Sequence, residues 1–273
     1  MKKLFAMMMA LVLMLTCFAA CQPAANTDDT NDTAGNAAAA TDMSYVLDKG
    51  KLVVGITDYA PMDYKDDNGE WTGFDAEFAQ MFAKELGVEC EFFVLADWGK
   101  KFMELDTKNI DCVWNGMTIT EEATSNSSVS NPYVINAQVV VMKADKVANF
   151  ATAESMLDLT FAVENGSAGQ TAAEEMGATK ITPVQDQAAA LMEVAAGTSD
   201  ACVIDITMAN AMTGEGTSYA DLAKGISLTE EKYGVSFRKD SDLTAKFNAF
   251  MAEIKADGTL KALADKYQLT LAD

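Results

Sequence analysis

The sequence predicts an α/β protein made of two lobes of similar design, with a ligand cleft between them. Three observations carry this expectation. Short apolar runs rich in β-branched residues alternate with stretches whose apolar residues recur at helical spacing, the pattern of sheets wrapped by helices. A helix–turn–strand passage is echoed inside the chain: Met103-Glu104-Leu105 leads to Asp111-Cys112-Val113, and Met192-Glu193-Val194 leads to Asp200-Ala201-Cys202-Val203. Apolar residues make up 49% of the 273, enough for one large or two ordinary cores.

The first residues read as an address. Lys2 and Lys3 precede an unbroken apolar run from Leu4 to Leu15, too short to span a bilayer comfortably, so residues 1–20 are expected to be a secretory signal peptide. Phe18-Ala19-Ala20-Cys21 resembles a lipobox, which makes Cys21 the expected lipidation site; an ordinary secreted protein with an incidental Cys21 is the alternative. Gln22 to Asp42 holds no large apolar residue and cannot offset its ordering entropy, so residues 21–48 are expected to be a lipidated cysteine and a flexible tether.

The body follows in order. Lys51–Ile56 reads as a buried strand, and Asp66-Asp67-Asn68-Gly69 as a turn. Phe74, Phe78, Met81, Phe82 and Leu86 give a helix ended by Gly87. Strands are expected at 89–95, 110–114, 138–142, 160–164, 180–184 and 201–205, and helices at about 98–106, 169–176, 186–196, 242–256 and 259–267. The alternation implies parallel sheets. Ligands of open α/β sheets sit beyond the carboxyl ends of strands, here Thr57-Asp58-Tyr59, Asn115-Gly116-Met117-Thr118, Glu164-Asn165-Gly166-Ser167 and Asp205.

Composition removes several function classes. With 41 Asp+Glu against 20 Lys+Arg, the formal charge of -21 repels nucleic-acid phosphates. The absence of histidine removes Ser-His-Asp hydrolysis, Cys-His proteolysis and His-ligated zinc. Arg238 is the only arginine, so no Arg cluster can recognise phosphate. Cys90, Cys112 and Cys202 lie in strand-like runs at no metal-site spacing and read as small buried hydrophobes. No cofactor and no metal are expected.

One set of motifs is specific in combination. GFDAEFAQMFAKELG, Asp97-Trp98, NIDCVWNGMTIT, Asn131-Pro132-Tyr133, VENGSAG, SDACVID, YGVSFRKD and IKADGTLKALADKY occur in this order over about residues 49–268. The set resembles the extracellular solute-binding proteins of polar amino-acid ABC transporters, solute-binding protein family 3. The resemblance implies the type 2 periplasmic-binding-protein fold: two lobes, two hinge crossovers near 135–142 and 228–235, and closure on one ligand. Lobe one would be 49–136 plus 234–273, and lobe two 141–229.

The resemblance also implies a site. An aromatic residue after the first strand matches Tyr59, and Asp58 lies near a second acidic position. An aromatic flanking the ligand matches Trp98. The backbone and hydroxyl groups expected to hold a ligand carboxylate match Asn115, Gly116 and Thr118, with Ser167, Ala168 and Gly169 at a helix start. The ammonium-binding acid matches Asp205, and Glu164 stands at another strand end. Asp58 as a turn cap, and Trp114 as a core residue, are alternative readings.

One position departs from the family pattern. Thr120-Glu121-Glu122 is followed by Ala123, where the family has an arginine forked onto the ligand carboxylate. Either backbone N–H groups take over, or the ligand has no α-carboxylate in the usual place. Asp58, Glu164, Asp205, Tyr59, Trp98 and Trp114 remain, an acidic and aromatic set that suits a ligand carrying positive charge: a basic amino acid, an amine or a quaternary ammonium. The expected role is a lipid-anchored, monomeric, extracytoplasmic binding component that delivers a small polar solute to an ABC permease and its ATPase. A sensing lipoprotein acting with a separate receptor, and a dehydratase using Glu164 or Asp205 as acid or base, are the alternatives. The chain ends at Asp273 with no further apolar span or output domain in view, so signalling would need such a receptor.

Overall fold

The computed structural model describes residues 41–273. The expected signal peptide, Cys21 and most of the expected tether lie outside the described residues.

Two mixed five-stranded sheets form the frame. The first runs in the order Glu89–Val94, Lys51–Ile56, Cys112–Val113, Ser236–Phe237, Ser128–Val129. The second runs Lys180–Val184, Thr160–Glu164, Ala201–Asp205, Gln138–Lys143, Leu222–Ser227. Each begins with three parallel strands, as the strand–helix alternation requires. In each sheet the fourth strand runs the other way, which differs from the expected parallel sheets. Gln138–Lys143 is antiparallel to both its neighbours, and Ser236–Phe237 is antiparallel to both of its own. These are the strands that enter a sheet from the other lobe. They arrive through Val134–Asn136 and Glu231–Tyr233, which pair antiparallel as a two-stranded ribbon between the sheets.

The helices fall where apolar periodicity places them: Phe74–Leu86, Lys101–Asp106 after a 3₁₀ turn at Trp98–Lys100, Ala168–Met176, Gln187–Ala196, Leu243–Ala256 and Thr259–Lys266. Phe74, Phe78 and Phe82 of the first bury one face against Trp114, Phe247 and Tyr133, an aromatic core in lobe one. Part of lobe two packs on smaller residues, among them Val140, Phe161, Val163, Ala173 and Val203. Trp114 is fully buried, in keeping with the core reading. Cys112 and Cys202 are buried free thiols, and Cys90 is half-buried.

The echoed passage has a structural reason. Asp111 and Asp200 each sit before the third strand of a sheet and accept a backbone N–H of the second, Val53 N at 2.7 Å and Thr160 N at 3.0 Å.

Residues 42–48, expected to belong to the tether, are helical. Asp42–Lys49 is a helix, capped by the Thr41 hydroxyl. Arg238 holds it to the body, bonding Asp42 at 2.6 Å, Asp111 at 3.0 Å and the Ile110 carbonyl at 2.6 Å. The expected tether ran too far beyond the apolar-poor stretch 22–42, for Met43, Tyr45 and Val46 pack on the core. The segment is also held by an ion pair with a residue 196 positions away. Among the described residues no helix is long and apolar enough to cross a membrane.

Candidate functional site

The carboxyl ends of the parallel strands from both sheets meet around one cavity of about 440 Å³. That volume is in the range of small-molecule sites, roughly 300–1,000 Å³. Asn115, Glu164 and Asp205 project into it directly from strand ends. Trp98, Gly116, Thr118, Ser167 and Ala168 complete the part of the expected site that lines it.

Three expected residues stand elsewhere. Asp58 is exposed and outside the lining. Tyr59 is buried behind the cavity, its hydroxyl 2.5 Å from both Thr207 Oγ1 and Tyr233 OH. That trio ties a lobe-one loop to a lobe-two helix and the connecting ribbon. Gly169 is packed under the cavity wall, where an added Cβ would lie 2.7 Å from the Val203 carbonyl oxygen.

The groups expected to hold a carboxylate are already engaged. The Gly116 N–H donates to Asp75 Oδ2 at 2.6 Å. Asn115 Nδ2 donates to Asp63 at 2.8 Å, and its Oδ1 accepts from Thr57. The Thr118 hydroxyl donates to Glu231 Oε1 at 2.7 Å. Gly116 keeps φ 55° and has no room for a side chain: a Cβ would lie 2.5 Å from the Tyr59 ring.

Acid groups dominate the lining. Glu121, Glu122, Glu164, Glu175, Asp205 and Glu231 face the cavity, and the one cation among its lining residues is Lys101. Asp205 is gripped by amides rather than cations. Gln138 Nε2 donates to it at 2.7 Å, and Asn136 Nδ2 and Gln187 Nε2 donate as well. Gln138 and Asn136 also donate to Glu231, at 2.8 and 2.6 Å. Two carboxylates thus share two amide donors, while the buried Asn136 Oδ1 and Gln138 Oε1 have no partner among the described residues. Burial, then the charge of Glu231, pushes the Asp205 carboxyl up to about 7. Burial, then the charges of Asp205 and Asp186, pushes Glu164 up to about 8.

The lobes touch at the cavity mouth. Asn165 Nδ2 donates to Asp97 Oδ1 at 3.0 Å, and Gly166 lies against Gly99 so closely that a Cβ on it would be 2.6 Å from the Gly99 Cα. Lys101, Gln138, Gln187 and Glu231 carried no site signal in the sequence; Gln138 and Glu231 stood only within the expected crossovers.

Two α/β lobes, a paired-strand connection and a polar cavity between the sheets define a type 2 periplasmic-binding-protein architecture. The chain belongs to the bacterial extracellular solute-binding proteins, family 3, whose model matches residues 52–270. It is 29% identical over 228 residues to the L-cystine-binding protein TcyJ of Escherichia coli K12, covering 82% of this chain and 85% of the relative. It is 29% identical to the L-arginine-binding protein of Pseudomonas aeruginosa, covering 77% and 84%. Among solved structures, a mutant of ArgBP from T. maritima superposes with a TM-score of 0.77 at 31% identity, covering 83% of this chain and 98% of that one. An ancestral amino acid-binding protein, described as a precursor of cyclohexadienyl dehydratase, gives 0.75 at 33% identity, covering 82% and 98%.

Proposed function

We propose that this protein captures a positively charged amino acid outside the cell and delivers it to an ABC permease and its ATPase, closing its lobes on the solute while a lipid on Cys21 holds it at the membrane. The acidic lining carries this reading. Six carboxylates face one ammonium, and Asp205 and Glu231 are held by neutral amides in a pocket with orphaned acceptors. A buried carboxylate without a cation is costly, and a cationic ligand relieves that cost. Relatives named for arginine, and for lysine, arginine and ornithine, support the same chemistry. Asp205, Glu164, Thr118, Ser167, Ala168, Asn115, Gly116 and Trp98 are the proposed walls of the site. Tyr59 and Gly169 stand behind it, and Asp58 lies outside it.

Isothermal titration with L-arginine, L-lysine, L-ornithine, L-glutamine and L-glutamate tests the reading. Binding confined to the first three is expected; binding confined to the last two overturns it. Membrane-fraction retention lost in Cys21→Ala is the expected sign of the anchor. A catalytic role has one supporting observation, the Glu164 carboxyl raised to about 8, which would stay protonated at neutral pH as an acid must. Product formation from a bound solute would establish it.

A further inference from the structure

We propose that Lys101 completes the subsite for the carboxylate of the bound solute, beside the start of the helix Ala168–Met176 that the family resemblance already assigns to that group. The proposal rests on the preceding reading and deepens it by naming the side chain that holds the carboxylate of the amino acid.

Lys101 is a buried cation with little to hold it. It is 5% exposed and lines the cavity. Its ammonium has three donors. Among the described residues it makes two long contacts, to the Gly166 carbonyl oxygen at 3.3 Å and the Trp98 carbonyl oxygen at 3.4 Å. No carboxylate of the described residues comes within 4.0 Å of it. Burial pulls its pKa down, against the more distant charges of Glu122, Glu164 and Asp97. Its Nζ also lies 5.0 Å from the centroid of the Trp98 ring, so a cation already sits beside the expected aromatic platform.

The second half of the subsite comes from the other lobe. Gly166, whose carbonyl meets Lys101, immediately precedes Ser167, the N-cap of a nine-residue helix. The first N–H groups of a helix lack intrahelical acceptors and carry partial positive charge. Ser167 and Ala168 line the cavity beside Lys101. The two sources of positive potential therefore meet at Gly166, and the Asp205–Glu231 amide cluster lines the same cavity. With six acids in the lining, only a small anionic group attached to a cationic body is tolerated there. That description fits the α-carboxylate of an amino acid. It also explains how a carboxylate can be held although Asn115, Gly116 and the Thr118 hydroxyl are engaged and position 123 is alanine.

The test compares each amino acid with the amine left when its carboxylate is removed, L-arginine with agmatine and L-lysine with cadaverine. L-Glutamine and L-cystine extend the panel to neutral zwitterions. Titration is done on the wild-type protein, K101M and K101R. Wild type is expected to bind an amino acid at least about 30-fold more tightly than its amine, the ratio a lost charge pair produces. K101M is expected to lose that ratio while its affinity for the amine stays within about threefold, and K101R to keep it. Ligand-free K101M is expected to melt no lower than wild type, since the side chain is a buried, weakly satisfied charge. Equal binding of acid and amine by wild type, equal weakening of both in K101M, a lowered melting temperature, or a K101M chain that does not fold would each overturn the proposal. The two readings fail separately. Wild-type binding of amines alone sinks the carboxylate subsite and leaves the cationic ligand standing. Binding of neutral zwitterions alone sinks the cationic ligand, and the K101M comparison then proceeds with L-glutamine.

Discussion

Two buried carboxylates in this protein are held in opposite ways. Asp111 in lobe one is fully buried and bonded to two cations, Lys49 at 2.5 Å and Arg238 at 3.0 Å, and it caps Val53 N. Asp205 in lobe two is 3% exposed and bonded to three amide side chains and no cation. The first is electrically closed, and its partners are fixed parts of the frame. The second is electrically open, held in position by groups that orient its oxygens without neutralising them. A carboxylate of the first kind serves the scaffold, and one of the second kind suits the cationic solute proposed above.

The sharpest way to break this contrast is to remove Arg238. It binds Asp42, Asp111 and two backbone carbonyls, so Arg238→Ala leaves two acids and those carbonyls without their partner. We expect a loss of about 3–5 kcal/mol in chemical denaturation, with ligand affinity preserved in the molecules that fold. Asp205→Asn is the counterpart. Affinity for L-arginine should fall by two orders of magnitude or more, about 2.7 kcal/mol or above, while the ligand-free protein is about as stable as wild type near pH 4 and increasingly more stable than wild type as pH rises to 8.

Proton linkage sharpens the contrast further. Asp205 and Asp75 are pushed up to about 7 and Glu164 to about 8, each chiefly by burial. Between the ordinary carboxylate range and these values the folded chain holds protons that the unfolded chain has released. Stability of the ligand-free protein therefore falls as pH rises from about 5 to about 8 and levels off above that. The chain has no histidine to mask this trend. Affinity for a cationic solute moves the other way, rising over the same interval as the carboxylates ionise. Thermal melts and titrations at pH 5.5, 7 and 8.5 check both slopes. The smallest effect belongs to a solvent-exposed pair: Lys266 meets Glu77 at 2.6 Å with 57% of its side chain exposed. Lys266→Ala should cost less than about 1 kcal/mol.

The lobes and most helices were legible because apolar periodicity is local, as Phe74, Phe78 and Phe82 show. So were Asn115, Glu164 and Asp205, because a strand end in an α/β sheet is a place as well as a sequence position. Strand direction was not legible in Gln138–Lys143, since a buried run reads the same either way. The acid cluster was hidden by distance: Glu231 meets Asn136 and Thr118 across 95 and 113 residues. Lys101 was hidden by its type, because a lysine opening a helix ordinarily points to solvent.

The hydroxyl trio of Tyr59, Thr207 and Tyr233 has a consequence for movement. Each member can donate a hydrogen bond or accept one, so a turn of the ribbon can exchange partners without leaving a hydroxyl unpaired. A pivot greased in this way resists little, and the work of swinging the jaws is left to whatever occupies the gap between them.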